Sequence, residues 1–221
     1  MASQVKSKER VADRGEVFTA EREVKAMCDM VENECLRIDS RFLEPACGSG
    51  NFLTEILSRK LDVVTKRYKK SSYDYEINSL LAISSLYGVD IMIDNVWECR
   101  ERLFKIWESY YHKAVKKKDR NEDIKQSVLY ILNHNIICGN ALSYHCVDEN
   151  AGDTGIPIVF SQWAFATGPM IKREDYIFEE LLCNTKKENE QLTLGVDSED
   201  DEGTLIQVYP PIHYRRLYEY G

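Results

Sequence analysis

One string constrains this chain more than any other: Phe42-Leu43-Glu44-Pro45-Ala46-Cys47-Gly48-Ser49-Gly50-Asn51-Phe52-Leu53. An apolar start, two glycines one residue apart and a resumption of apolar residues at helical spacing describe a short strand, a glycine turn and a helix. Residues 41–61 are read in that way. Glycines let a backbone reach positive φ and come close to a ligand. Ligands of open α/β sheets sit beyond the carboxyl ends of the strands. The dinucleotide fingerprint G-x-G-x-x-G is not present.

The surrounding pattern repeats strand and helix. A helical pattern runs from Gly15 to about Val31, with Val24, Met27, Met30 and Val31 at helical spacing and Thr19 placed to support the N-cap. After the glycine string, EINSLLAISSL is helical and LYGVDI (86–91) is a strand. Asp90 or Asp94 then starts a helix lined by Val96, Cys99, Leu103, Ile106 or Trp107, and Tyr110. A further helix at roughly 122–133 feeds the strand NIICGNAL. This alternation predicts an α/β fold, a doubly wound sheet with largely parallel strands and flanking helices. Beyond residue 150, IPIVFSQWAF and MIKREDYIF flank Ala-Thr-Gly-Pro and predict a β-hairpin. The expected organisation is an N-terminal helical segment (1–40), a ligand-binding domain (41–185), an acidic linker or loop (186–204) and a C-terminal strand and tail (205–221).

Charge narrows the partners. The 221 residues carry 29 Lys+Arg against 37 Asp+Glu, a net charge of −8. Autonomous nucleic-acid binders usually carry a basic surplus, because phosphate contacts supply most of their affinity. The charge is unevenly placed, however. Arg59, Lys60, Lys66, Arg67, Lys69 and Lys70 form one basic run, and Lys113, Lys116, Lys117, Lys118 and Arg120 form a second. Either run fits a solvated helix end or a phosphate contact. Eleven acids stand against two lysines between Glu174 and Glu202. No apolar run approaches the roughly 20 residues of a membrane span, and the N-terminus has no apolar stretch of signal-peptide type. Seven irregularly spaced cysteines without a C-x-x-C pair predict free thiols in a cytoplasmic protein, and no metal site.

The motifs together resemble the class I S-adenosylmethionine-dependent methyltransferases, in particular the N6-adenine DNA methyltransferases of restriction–modification systems. FLEPACGSGNFL resembles their cofactor-binding motif I. Gly15-Glu16-Val17-Phe18-Thr19-Ala20 resembles the motif that precedes it in the γ arrangement, with Ala20 in place of the usual proline. LYGVDI resembles motif II and IICGNAL motif III, so the likeness spans roughly residues 10–145. It implies a Rossmann-like methyltransferase sheet that binds S-adenosylmethionine. Phe18, Thr19 and the backbone of Pro45, Ala46, Cys47, Gly48, Ser49, Gly50, Asn51 and Phe52 would line the cofactor site. Glu44 would face the cofactor's ammonium, Asp90 would accept from both ribose hydroxyls, and Ile91 would lie against the adenine. Asn140, with Ala141 beside it, stands where the family usually has an Asp that meets the adenine amino group. Each position has a plain alternative: Asp90 as a helix cap, Glu44 as a strand-end acid, Asn140 as a turn residue and Phe18 as core.

The family's catalytic motif, Asp or Asn followed by Pro-Pro and an aromatic, is missing. It would grip an adenine flipped from the duplex. The only Pro-Pro is in Tyr209-Pro210-Pro211-Ile212. The resemblance therefore implies a short or split adenine-N6 methyltransferase that needs a partner subunit for catalysis and reaches DNA only through a complex. The alternatives are a non-catalytic S-adenosylmethionine sensor or interaction module, and a different constellation around Trp163, Asp175 and Tyr176.

Overall fold

The structure is a computed structural model describing residues 19–165, 168–179 and 205–220. Phe18, Cys183, the acidic segment 186–204 and most of the N-terminal motif lie outside the described residues. The first sheet contains β1 (Phe42–Glu44), β2 (Leu86–Asp90), β3 (Ile136–Asn140), β4 (His145–Val147) and β5 (Asp153–Pro157), in that spatial order. β1, β2 and β3 are parallel; β4 and β5 are antiparallel additions. The helices are α1 (Glu21–Met30), α2 (Glu32–Cys35), α3 (Asn51–Tyr68), α4 (Ser72–Ser84), α5 (Ile93–Ala114) and α6 (Asp123–Asn135).

This is a mixed α/β sheet, and it departs from the doubly wound expectation. The order of the described strands never reverses, so the crossovers β1-α3-α4-β2 and β2-α5-α6-β3 both advance in one direction. Right-handed crossovers of that kind place their helices on one face. Leu53, Leu57, Leu61, Leu103, Trp107, Ile131 and Leu132 pack there with Leu86 and Ile136 in one buried cluster. Val89 on the opposite face packs with Ile158, Phe160 and Phe178, joined by Tyr87 and Ile137. The strand period of two sorts these side chains between the faces.

Local chemistry sets the helix limits. α3 is entered through Gly50, at φ 83°, and buries Leu53, Ile56, Leu57, Leu61 and Val64 at helical spacing. Ser71 caps α4 by accepting from the Asp74 amide at 3.2 Å. α5 selects Trp107 and Tyr111 as its buried residues, while Ile106 and Tyr110 flank them. Its N-cap is Met92, neither Asp90 nor Asp94, and α1 is entered through Ala20 without a side-chain cap.

The second sheet contains β6 (Val159–Phe165), β7 (Met170–Ile177), β8 (Leu205–Val208) and β9 (Ile212–His213), all antiparallel. β6 and β7 form the hairpin the sequence predicts, and the C-terminal strand expected at 205–221 joins that same sheet. The Arg41 Nη1–Gln162 Oε1 bond at 3.2 Å and the Tyr87 hydroxyl–Ser161 carbonyl bond at 3.1 Å tie β6 to the first sheet. A 3-10 segment, Tyr214–Tyr220, then returns to α6, where the Leu217 amide donates to Ser127 Oγ. Fully buried Glu76 locks this return by accepting from Tyr111 and Tyr214 and pairing with Arg215 at 2.6 Å.

Candidate functional site

The carboxyl ends of β1, β2 and β3 enclose a cavity of about 560 Å³. That is within the range of small-molecule sites. β1 delivers Glu44, Pro45, Ala46, Cys47 and Gly48; the first turn of α3 adds Asn51 and Phe52. β2 and the entry to α5 supply Asp90, Ile91, Met92 and Asn95, and β3 supplies Gly139, Asn140, Ala141 and Leu142. Thr19 closes the wall from the chain entering α1.

The structure thus brings together twelve residues singled out in the sequence: Thr19, Glu44, Pro45, Ala46, Cys47, Gly48, Asn51, Phe52, Asp90, Ile91, Asn140 and Ala141. Ser49 and Gly50 do not line the cavity. Ser49 is buried behind the turn, where its hydroxyl and carbonyl both accept from Arg102 Nη1, which also reaches Asn51 Oδ1 at 2.8 Å. Gly50 serves the turn itself: a Cβ there would lie 2.5 Å from Cys99 Sγ, and its φ is positive. Met92, Asn95, Gly139 and Leu142 were missed. Asn95 had a signal, since one turn into the helix after Asp90 it can reach back to that acid.

Asp90 is the joint of the site. Its Oδ2 accepts from the Gly48 amide at 2.8 Å; its Oδ1 accepts from the Met92 amide at 2.8 Å and Asn95 Nδ2 at 3.1 Å. It therefore anchors the entry to α5, ahead of the N-cap Met92, and holds the glycine turn together. A carboxylate offers about four acceptor directions, so three are in use. Asn140 makes a turn of its own, its Oδ1 accepting from the Leu142 amide at 2.9 Å. Its side-chain oxygen is thus engaged within its own turn. The turn alternative for Asn140 thus describes a bond that exists, whereas Asp90 bonds the N-cap residue's amide and a first-turn side chain and is not itself the cap.

Two carboxylates, Glu44 and Asp90, line the cavity, and among the described residues no lysine, arginine or histidine does. Burial raises the Glu44 pKa against the opposing effect of the Ala46 amide that bonds it. The Cys47 thiol donates to the Gly48 carbonyl at 3.7 Å, and the neighbouring Cys99 thiol together with burial pushes its pKa well above the ordinary value, which favours the neutral thiol.

The other candidates lie elsewhere. Trp163 donates to Asn135 Oδ1 at 2.9 Å, and Asp175 is held by Arg173 in a buried pair at 2.6 Å. The Tyr176 hydroxyl donates to Glu174 at 3.1 Å. Tyr209 lies under the Arg173 guanidinium, 4.3 Å from its ring centroid. None of these, nor Pro210, Pro211 or Ile212, lines the cavity. The six described cysteines are free thiols, and no described helix is long and apolar enough to cross a membrane.

No family model, no curated protein and no solved structure matches this chain.

Proposed function

We propose that the cavity binds S-adenosylmethionine, and that the chain is the cofactor-binding half of an adenine-N6 DNA methyltransferase whose catalytic motif and DNA recognition come from a partner subunit. One observation carries the reading: an apolar cavity at the carboxyl ends of three parallel strands holds two carboxylates and, among the described residues, no cation. Such a site favours a ligand with a positive surplus. S-adenosylmethionine has a sulfonium and an ammonium against one carboxylate, and so fits that donor set.

Each wall has a task in this reading. Glu44 offers an acceptor to the ammonium. Asp90 keeps one acceptor direction for a ribose hydroxyl, and accepting from both hydroxyls requires release of Asn95 or of the Gly48 amide. Ile91, Ala141 and Leu142 supply apolar surface for the adenine, and Asn140 offers its side-chain amide to the ring edge. The cofactor supplies an electrophilic methyl group, and the chain's part is to position it and keep water away.

The test is isothermal titration of the unmodified chain with S-adenosylmethionine, alongside Glu44→Gln and Asp90→Ala. Binding that each variant weakens at least tenfold is expected; absence of heat with the unmodified chain rejects the cofactor reading. Label transfer to DNA by a co-purified complex, but not by the isolated chain, supports the split enzyme. Cofactor binding with no transfer in any complex leaves the sensor reading, which the placement of Tyr209-Pro210-Pro211 outside the cavity favours.

A further inference from the structure

The cations of this chain fall into two groups. Among the described residues, every lysine and arginine except eight has an ion pair or a hydrogen bond. On the surface, Lys25 pairs with Glu21, Arg37 with Glu34, Lys105 with Glu101, Lys125 with Glu108 and Arg216 with Glu219. Arg100 and Arg120 bind backbone carbonyls, and Arg102 binds the glycine turn. The exceptions are Lys66, Arg67, Lys69, Lys70, Lys113, Lys116, Lys117 and Lys118. All eight are exposed, and none has a carboxylate or hydrogen-bond partner; Lys113 only overlies the Tyr110 ring.

These eight come from both basic runs, and the fold joins the runs. α3 and α5 leave adjacent parallel strands and run side by side. Arg102, midway along α5, meets Ser49 and Asn51 at the start of α3; nearer both C-terminal ends the Tyr110 hydroxyl donates to Asp62 Oδ1 at 2.8 Å. That bond fixes the register. Lys66 lies one turn beyond Asp62 and Lys113 one turn beyond Tyr110, with the remaining cations just past them. Packed helices lie about 8–10 Å apart, so the runs form one face. At 1.5 Å per residue it is roughly 25 Å from Asn51 and the cavity.

Acids at this end, Asp62, Asp74, Asp119, Glu122 and Asp123, are outnumbered by the eight cations. Lysines do gain a little at a helix C-terminus, but that does not explain why eight together lack partners in a chain of net charge −8. Of the aromatics nearby, Tyr68 and Tyr110 pack on the core, and Tyr73, though exposed, meets Tyr214 edge-on at 6.0 Å. Unstacked bases call for a succession of aromatic faces, and one exposed ring does not supply it.

We propose that this face docks the sugar–phosphate backbone of a nucleic-acid duplex, away from the cavity and without reading sequence. A duplex carries a row of phosphates that an extended row of cations can meet, releasing condensed counterions. The docking does not depend on what the cavity binds.

The test is fluorescence anisotropy of a labelled 20-base-pair duplex with the full chain, as a function of salt. Lys66→Glu/Lys69→Glu/Lys70→Glu and Lys116→Glu/Lys117→Glu/Lys118→Glu are compared with a control reversed at the paired cations, Arg37→Glu/Lys105→Glu. Each triple variant is expected to lose at least tenfold in affinity at low salt, and its log–log salt slope is expected to flatten by about 2–3. The control is expected to bind as the unmodified chain does. Thermal melts check that the variants fold, and the salt slope of the unmodified chain provides a reading that needs no variant. No duplex binding at low salt, a salt-independent affinity, or losses equal in the control would overturn the proposal. Equally tight binding to polyglutamate of matched charge would overturn the nucleic-acid assignment in favour of an acidic protein.

Discussion

Asp90 Oδ2 accepts the Gly48 amide at 2.8 Å, so the acid that ends β2 holds the turn that ends β1. The same carboxylate takes the Met92 amide, fastening the start of α5. Cavity shape and the entry to α5 therefore depend on one side chain. Asp90→Ala is expected to lose about 1–3 kcal/mol in urea unfolding, the usual cost of leaving buried donors unmet, and at least tenfold in S-adenosylmethionine affinity. Asp90→Asn keeps one acceptor oxygen and should fall between. An alanine variant as stable as the original would sink this account.

Gly50 tests the turn from the other side. An alanine there must adopt a φ of 83° and place Cβ 2.5 Å from Cys99 Sγ. Overpacking of this kind costs about 1–3 kcal/mol. Cys99→Ala removes the struck sulfur, so a double-mutant cycle should show the Gly50→Ala penalty shrinking in the Cys99→Ala background. Strictly additive penalties would mean that strain at positive φ, not the sulfur contact, sets the cost.

Glu44 makes ligand affinity depend on pH. Burial raises its pKa above 4.5, the value at which an ordinary carboxylate ionises. The empty site keeps its proton to a higher pH than the unfolded chain does. A cationic ligand needs the ionised form. Affinity for S-adenosylmethionine should rise with pH through the Glu44 titration and level off above it, and Glu44→Gln should flatten the profile. Titration calorimetry between pH 4.5 and 8 checks both.

Lys60 predicts a second pH dependence, in stability. It is fully buried on α3 and donates to Ile38 and Ser40 carbonyls and to Ser85 Oγ. Burial pushes its pKa down to about 7. Between pH 7 and about 10.4, the ordinary lysine value, the unfolded chain binds a proton that the folded chain has released, so stability rises with pH across that window. Below pH 7 both states are protonated and the burial penalty is carried in full. Lys60→Met should remove this rise in denaturation midpoint. It should also destabilise at pH 9, because the neutral amine still has two N–H donors for buried oxygens that methionine cannot satisfy.

Glu76→Gln is expected to cost about 3–5 kcal/mol, since it strips the charge that meets Arg215 in a buried network with Tyr111 and Tyr214. Limited proteolysis should then release the segment around Tyr214–Tyr220 before the helices around Leu61 and Trp107 are cut. Uniform cleavage throughout the chain would mean that Glu76 stabilises no particular segment.

The first half was legible because its signals are local. Gly48 and Gly50 mark a turn whatever surrounds them, and Val96, Cys99 and Leu103 declare a helix face by spacing alone. Those residues placed β1, α3, β2 and α5, and most of the cavity followed. Ser49 was misplaced because a motif does not show which way a side chain turns; Arg102, about fifty residues on, decides that. β4 escaped because His145–Val147 is three half-buried residues with no alternation to read. The single direction of the strand order was hidden too, since it depends on where β3 turns back at Tyr144, whose φ is 61°.

The Glu76 network joins residues 138 positions apart in the chain. Contacts so distant in sequence form late, because a long loop must close before any of its enthalpy is returned. Within the helical half the Glu76 carboxylate has the Tyr111 hydroxyl for a partner but no cation, and Arg215 brings the charge that balances it. The helical half therefore reaches its full stability only once Tyr214 and Arg215 have docked.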